Sequence, residues 1–275
     1  MAWSSIPFVL KREDVVSKRR FFKVPAPILE VVLKEGLFGP FRFFMYCKTV
    51  STSGQMHFCP QTIRLAAKHL QISEKTVKRH LDILEKRNWI GCFDNGGRII
   101  RSFDKLRKIE KLSGRSAVWF DAEKHLYPFR AFVVSACLAQ LIIRQRTRIW
   151  IEREKKRERE SDFLPGSRRG KPIERKKALP SFFPIACDAM RQIYGIALGT
   201  AFNWKQEAHK AGFIEVKKIL IPISEGWVHG NQNKAHHILR RGDRLLIQGT
   251  DQVRCNLRFT RRQWLQLSQK ELDKK

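Results

Sequence analysis

Thr62–Phe103, TIRLAAKHLQISEKTVKRHLDILEKRNWIGCFDNGGRIIRSF, constrains the fold of this chain more than any other stretch. Ile63, Leu65, Ala66 and Leu70 fall at helical spacing and predict a short amphipathic helix. Gln71-Ile72 breaks it, and Ser73 stands where a second helix begins, its hydroxyl able to accept the unpaired N–H groups of a first turn. Val77, Leu81 and Leu84 then recur at i, i+4 and i+7 as one buried stripe, with Lys75, Lys78, Arg79 and Asp82 on the other side. Trp89–Phe93 and Arg98–Phe103 predict two strands. Asp94-Asn95-Gly96-Gly97 between them is strong turn chemistry, because Asn and Gly tolerate positive φ.

Two short helices joined by a tight turn, the second basic on its open side, predict a helix-turn-helix followed by a wing. The stretch resembles the bacterial winged helix-turn-helix family at Leu65-Ala66, Leu70, Ile72-Ser73, Thr76-Val77, Arg79-His80-Leu81, Leu84-Glu85 and Trp89-Ile90-Gly91. That is about one sixth of the chain by direct reading. The resemblance implies that the second helix enters the DNA major groove and that the hairpin touches a phosphate or the minor groove. The family's usual Gly before the first wing strand is Asn88 here, a residue that also accepts a left-handed backbone. The DNA-binding candidates in this stretch are Ser73, Lys75, Thr76, Lys78 and Arg79 on the second helix and Asn95, Arg98 and Arg101 on the hairpin. Arg79 suits guanine O6 and N7, whereas Lys75 and Thr76 suit phosphate.

Charge points the same way. Lys and Arg number 55 against 26 Asp and Glu, a formal net charge of +29. An excess this large favours a polyanion, nucleic acid above all, over a basic surface kept for solubility, with an anionic membrane as the third option. Hydrophobic content is 43%, enough for real cores in 275 residues. The six cysteines lie far apart without metal-ligand spacing, which predicts small buried side chains in a reducing compartment. No signal peptide is read at the N-terminus, and the longest apolar run, Ala131–Ile143, is thirteen residues, too short to span a bilayer. The expected location is the cytoplasm, at the nucleoid, with no membrane partner.

The flanks extend the pattern. Lys18–Lys23 reads as an arm along DNA or a packed strand, with packing favoured for Phe21-Phe22. Pro27–Lys34 predicts a helix with Pro in its first turn. Phe41, Phe44 and Met45 belong to a first core helix, and Gln55–Cys59 to a strand pairing with the wing. Asp104–Leu112 reads as a charged helix or loop and Arg115–Phe120 as a strand. The chain turns helical from Glu123. Ala131–Ile143 is apolar almost all round, which buries it either between domains or in a homodimer interface. Ser161–Lys177, with its Pro, Gly and basic residues, reads as a tether.

From Pro184 the chain reads as a divergent second copy. A shift of 124 positions lays Ile72 on Ile196, Thr76 on Thr200, Val77 on Ala201, Leu84 on Ala208, Trp89 on Phe213 and Ile90 on Ile214. Leu81 falls on Lys205, so the buried stripe is expected to run through Ala201, Trp204 and Ala208 instead. Phe213–Ile223 reads as one strand, followed by a long polar loop. Thr200, Asn203 and Gln206 become the second set of DNA-binding candidates, Asn and Gln suiting adenine. A degenerate copy used for packing or dimerisation is the alternative. The expected fold is α+β, mostly helical, with two winged helix-turn-helix domains joined by a long helical connector. Its parts are residues 1–120, a connector over 121–178, a second domain over 179–262 and a tail over 263–275.

Catalytic chemistry finds little support. His237-Ile-Leu-Arg240 matches a piece of the tyrosine recombinase pattern, but Tyr46, Tyr127 and Tyr194 all lie upstream of it. His236-His237 are adjacent, unlike the His-apolar-His pair of rolling-circle enzymes. No phosphate-binding Gly-x-x-x-x-Gly-Lys loop or acidic cluster stands out, so the chain reads as a binder without catalytic residues, metal or cofactor. Double-stranded DNA is the expected partner and transcriptional regulation the expected role. A plasmid or phage replication initiator is the second reading, since some plasmid initiators are tandem winged helices. A structural nucleoid or interaction protein is the third.

Overall fold

The structure, a computed structural model, describes residues 21–51, 53–93, 97–114, 116–162, 181–223, 238–241, 244–248 and 250–259. It is α+β, mostly helical, with small antiparallel sheets. The chain divides into two compact units. One runs to Val134 and takes back the chain from Leu257, and the other is Ser135–Asn256. The sequence reading closed its first domain at 120 and its second at 262.

The first unit opens with β1 (Phe21–Pro25) and α1 (Ala26–Lys34), whose first turn holds Pro27. Then come α2 (Phe38–Val50), β2 (Gln55–Met56), α3 (Pro60–Leu70), α4 (Glu74–Lys86), β3 (Ile90–Cys92) and β4 (Arg98–Ile100). It continues through α5 (Phe103–Ile109), β5 (Ala117–Asp121) and α6 (Ala122–His125) into the long α7 (Phe129–Asp162). β1 pairs antiparallel with β5, Phe22 opposite Phe120 and Val24 opposite Val118. Trp119 N–H also donates to the Arg258 carbonyl at 2.9 Å, and Val118 bridges Phe259, so the end of the described chain returns to this unit. Phe22 packs toward Phe120 at 6.4 Å, whereas Phe21 is 58% exposed.

Aromatic packing holds the core. Phe41, Phe43 and Phe44 on α2 are fully buried. Phe41 stacks on Phe44 at 5.6 Å and meets Trp89 edge-on at 5.5 Å, an arrangement that adds to simple area burial. α2 comes close to α4 because Gly39 has no side chain, and a Cβ there would lie 2.7 Å from the His80 ring. On α3 the buried stripe is Ile63, Ala66, Ala67 and Leu70. Leu65, placed with that stripe from the sequence, is exposed, because it lies two residues and thus about 200° round the helix from Ile63.

The two units share one plan. The second holds most of α7, then β6 (Phe183–Pro184), α8 (Cys187–Tyr194), α9 (Leu198–Lys210) and β7 (Ile214–Lys217). It ends with β8 (Leu220–Ile223), β9 (Ile238–Arg241), β10 (Arg244–Gln248) and β11 (Gln252–Cys255). Moved by 124 positions, α4 coincides with α9 from first residue to last, and β3 starts where β7 starts. The left-handed residues coincide as well: Gln71 and Asn88 (φ 55° and 56°) fall on Gly195 and Gly212 (φ 71° and 73°). So do the bonds that close the second helix. Trp89 N–H donates to Leu84 O at 2.9 Å, and Phe213 N–H to Ala208 O at 3.1 Å. Sheet order repeats too, β2-β4-β3 in one unit and β6-β11-β7 in the other.

The copies differ where the hairpin opens. β4 follows β3 directly, but β8, β9 and β10 intervene between β7 and β11 and form their own sheet in the order β8-β10-β9. The single strand expected over Phe213–Ile223 is therefore two. β7 pairs with β11 and β8 with β10, so the chain changes sheet at Lys218-Ile219. Along α7 every residue from Ala131 to Ile142 is buried within this chain. Among the described residues no helix is long and apolar enough to cross a membrane.

Candidate nucleic-acid interface

The exposed side of α4 is set by its ends and its buried stripe. Ser73 caps the helix, its Oγ accepting Thr76 N–H at 3.1 Å and lying 2.8 Å from Thr76 Oγ1. Such a cap is worth about 1 kcal/mol and fixes where the first turn begins. Val77, His80, Leu81 and Leu84 are buried, which turns Lys75, Lys78 and Arg79 to solvent and leaves Thr76 half-buried. Glu74 joins Arg64 of α3 at 3.4 Å, across the tight turn between the helices. His80 is 7% exposed, and its Nδ1 has no hydrogen-bond partner. Burial, and then the charge of Arg79, lower its affinity for a proton.

The other end of α4 is locked to its surroundings. Arg87 pairs with Glu35 just past α1 and with Glu110 just past α5, and Trp89 Nε1 donates to Glu110 at 2.7 Å. Both carboxylates raise the pKa of Arg87, Glu35 the more. This network joins three helices around the base of the hairpin.

The hairpin candidates sit differently from one another. Asn95 lies outside the described residues. Arg98 opens β4 opposite Cys92, and its Nε donates to Glu85 of α4 at 2.8 Å, which raises its pKa. Arg101 donates to Asn88 Oδ1 at 2.9 Å and lies over Gly91, where a Cβ would be 2.8 Å from its Nη2. Arg101 is thus held at the base of the hairpin, away from the turn. The sequence suggested neither partner, because each lies thirteen residues from its Arg.

In the second unit, α9 keeps the register of α4 and loses its charge. Glu74, Lys75, Lys78, Arg79 and Asp82 correspond to Leu198, Gly199, Phe202, Asn203 and Gln206. Asn203 is exposed, Thr200 and Gln206 are half-buried, and Leu198 and Phe202 are half open to solvent. The buried stripe is Ala201, Lys205 and Ala208, which corrects the expectation that Trp204 would replace Lys205. Lys205 stays inside because its ammonium donates to Asp251 Oδ2 at 2.6 Å and to the Ile185 carbonyl at 3.4 Å.

Of the cysteines, Cys47 and Cys137 are buried, but Cys59 and Cys92 are exposed, against the expectation of burial for all. Cys59 ends the loop before α3 with its Sγ 3.0 Å from Thr62 Oγ1. Among the described residues no group of three or more His, Cys, Asp or Glu could hold a metal ion. The chain matches no family model, no curated protein and no solved structure.

Proposed function

We propose that this chain binds double-stranded DNA through two winged helix-turn-helix units, with α4 of the first as the helix that enters the major groove. The observation that carries the reading is the exposed row Lys75, Lys78 and Arg79 on a capped helix whose opposite side is buried. That helix follows a tight turn and precedes a hairpin whose last strand sits in the middle of the sheet, the order β2-β4-β3. The net charge of +29 supplies the sequence-independent attraction to phosphate. Arg79 is the base reader, and Lys75 and Lys78 contact phosphate. The chain acts in the cytoplasm, at the nucleoid.

The second unit joins as a weaker head. Asn203 and Gln206 suit adenine and Phe202 a thymine methyl, while α9 offers no cation of its own on that side. Two heads on one chain raise each other's effective concentration. Transcriptional regulation is the role we assign. Replication initiation is the second reading, favoured by the repeat of one plan at a constant shift of 124 residues. Selection of binding sites from random duplexes with the full chain tests DNA binding. A recovered motif, weakened by Arg79→Ala, is the expected result, and no enrichment over random duplex would overturn it.

A further inference from the structure

We infer that the first unit also carries a platform for single-stranded nucleic acid on the open face of its β1–β5 sheet, separate from α4 and independent of the double-stranded DNA reading. Lys23 on β1 lies directly opposite Trp119 on β5. The chain that returns from Leu257 runs along the other side of β5. There Val118 bridges Phe259 in antiparallel sense and Trp119 N–H donates to the Arg258 carbonyl at 2.9 Å, which sets Arg258 opposite Trp119 on that side. One row across three chain segments therefore reads Lys23, Trp119, Arg258.

Side-chain alternation decides which way the row points. Val24, Val118 and Phe120 are fully buried, and the alternate positions Lys23, Trp119 and Arg258 are exposed, Trp119 at 36%. Phe21, two residues from Lys23 on the same face, adds a second exposed ring. Its cross-strand neighbour Asp121 is buried and caps α6 by accepting Glu123 N–H at 3.2 Å, so that carboxylate is turned away from the open face. Lys23 Nζ lies 4.9 Å from the centre of the Trp119 ring. A cation over an exposed ring is held more weakly than a stacked base. A base therefore takes the ring, and the displaced ammonium, with Arg258 on the other flank, meets the phosphates on either side of it. An exposed indole between two cations fits a single strand of any sequence, because every base has a stacking face, whereas a duplex keeps those faces inside its own stack. The flanking sequence is basic as well, with Lys18-Arg19-Arg20 before β1 and Arg261-Arg262 shortly after Phe259. The net charge of +29 adds the general attraction to phosphate.

The test is equilibrium binding by the full chain at about 0.3 M salt, where exposed charges are screened. The probes are oligo-dT, oligo-U and an abasic strand, all of about 15 nucleotides and equal charge. Saturable binding of oligo-dT is expected, at least tenfold tighter than the abasic strand and at least tenfold weaker in Trp119→Leu. Trp119→Phe keeps a ring and should stay within about threefold of the parent. Lys23→Gln and Arg258→Gln should each reduce the salt dependence by about one phosphate contact. Binding of oligo-U in place of oligo-dT, with the same loss in Trp119→Leu, assigns the strand to RNA and supports the platform. Where Trp119→Leu fails to fold, judged by circular dichroism, the abasic comparison and the two Gln variants carry the test. Absence of binding by both oligo-dT and oligo-U, an abasic strand bound as tightly as they are, or parental binding by a folded Trp119→Leu protein would each overturn the assignment. None of these readouts depends on whether α4 binds duplex DNA.

Discussion

Lys205 donates to Asp251 Oδ2 at 2.6 Å from the position in α9 that Leu81 fills in α4. A charged side chain that is 2% exposed thus replaces a leucine within an otherwise conserved plan. Removing only the carboxylate strands a buried ammonium. Asp251→Ala is therefore expected to destabilise the second unit by about 3–5 kcal/mol. Lys205→Leu combined with Asp251→Ala restores the apolar stripe and should lie within about 1 kcal/mol of the parent, or above it. Hydrogen exchange of the α9 amides reads both variants. Equal protection in the parent and Asp251→Ala would show that the pair contributes nothing.

Arg79 and Lys75 are expected to separate base reading from phosphate holding. On the selected site Arg79→Ala should cost about 1–3 kcal/mol and relax preference at one base pair. Lys75→Ala should weaken all sequences alike and reduce the salt dependence of binding by about one phosphate contact. Parallel titrations at several salt concentrations compare them. An Arg79→Ala protein with parental affinity and parental site preference contradicts the placement of α4 in the groove.

Arg98 is expected to act first on the fold. Its Nε is taken by Glu85, and both side chains are only partly exposed, at 29% and 24%. Arg98→Ala should lower stability by about 1 kcal/mol while leaving the salt dependence of DNA binding unchanged. Thermal melts alongside the same DNA titrations decide it. A uniform loss of DNA affinity with a shallower salt slope would return Arg98 to the phosphate backbone, as first expected from its place beside the turn.

His125 makes the first unit sensitive to acid. Its Nδ1 accepts Asp121 N–H at 2.8 Å, and its ring stacks on Phe132 at 4.7 Å. Burial lowers its pKa from 6.5 to about 4, against the opposing pull of Asp121. The unfolded chain therefore binds this proton at a higher pH than the folded one. The contribution is full above pH 6.5 and is lost as pH falls from 6.5 toward 4, by up to about 3 kcal/mol. Urea unfolding between pH 7 and 4 should show this slope in the parent and a flatter one in His125→Gln. The same slope in both proteins would assign the acid sensitivity to other groups.

Much of the first unit was written in local pattern. The Ser73 cap, the stripe of Val77, Leu81 and Leu84, and the break at Gln71 each depend on neighbours within a turn or two. Backbone propensity and helical periodicity act at that range, so the residues alone placed both helices and the hairpin turn, but the second strand expected over Arg98–Phe103 stops at Ile100, because Ser102 caps α5 and Phe103 opens it. The 124-residue shift was legible for the same reason, since the left-handed positions at Gln71 and Asn88 recur as Gly195 and Gly212. Tertiary structure decided what distant partners decide. Lys205 is inside because Asp251, forty-six residues later, neutralises it, and no local rule predicts a lysine in a buried stripe. Arg98 and Arg101 are bound to Glu85 and Asn88, although their place beside a turn suggested free phosphate contacts. Ala131–Ile143 reads as apolar almost all round in sequence, and periodicity alone does not say what covers it; in the fold Ala131 to Ile142 are buried.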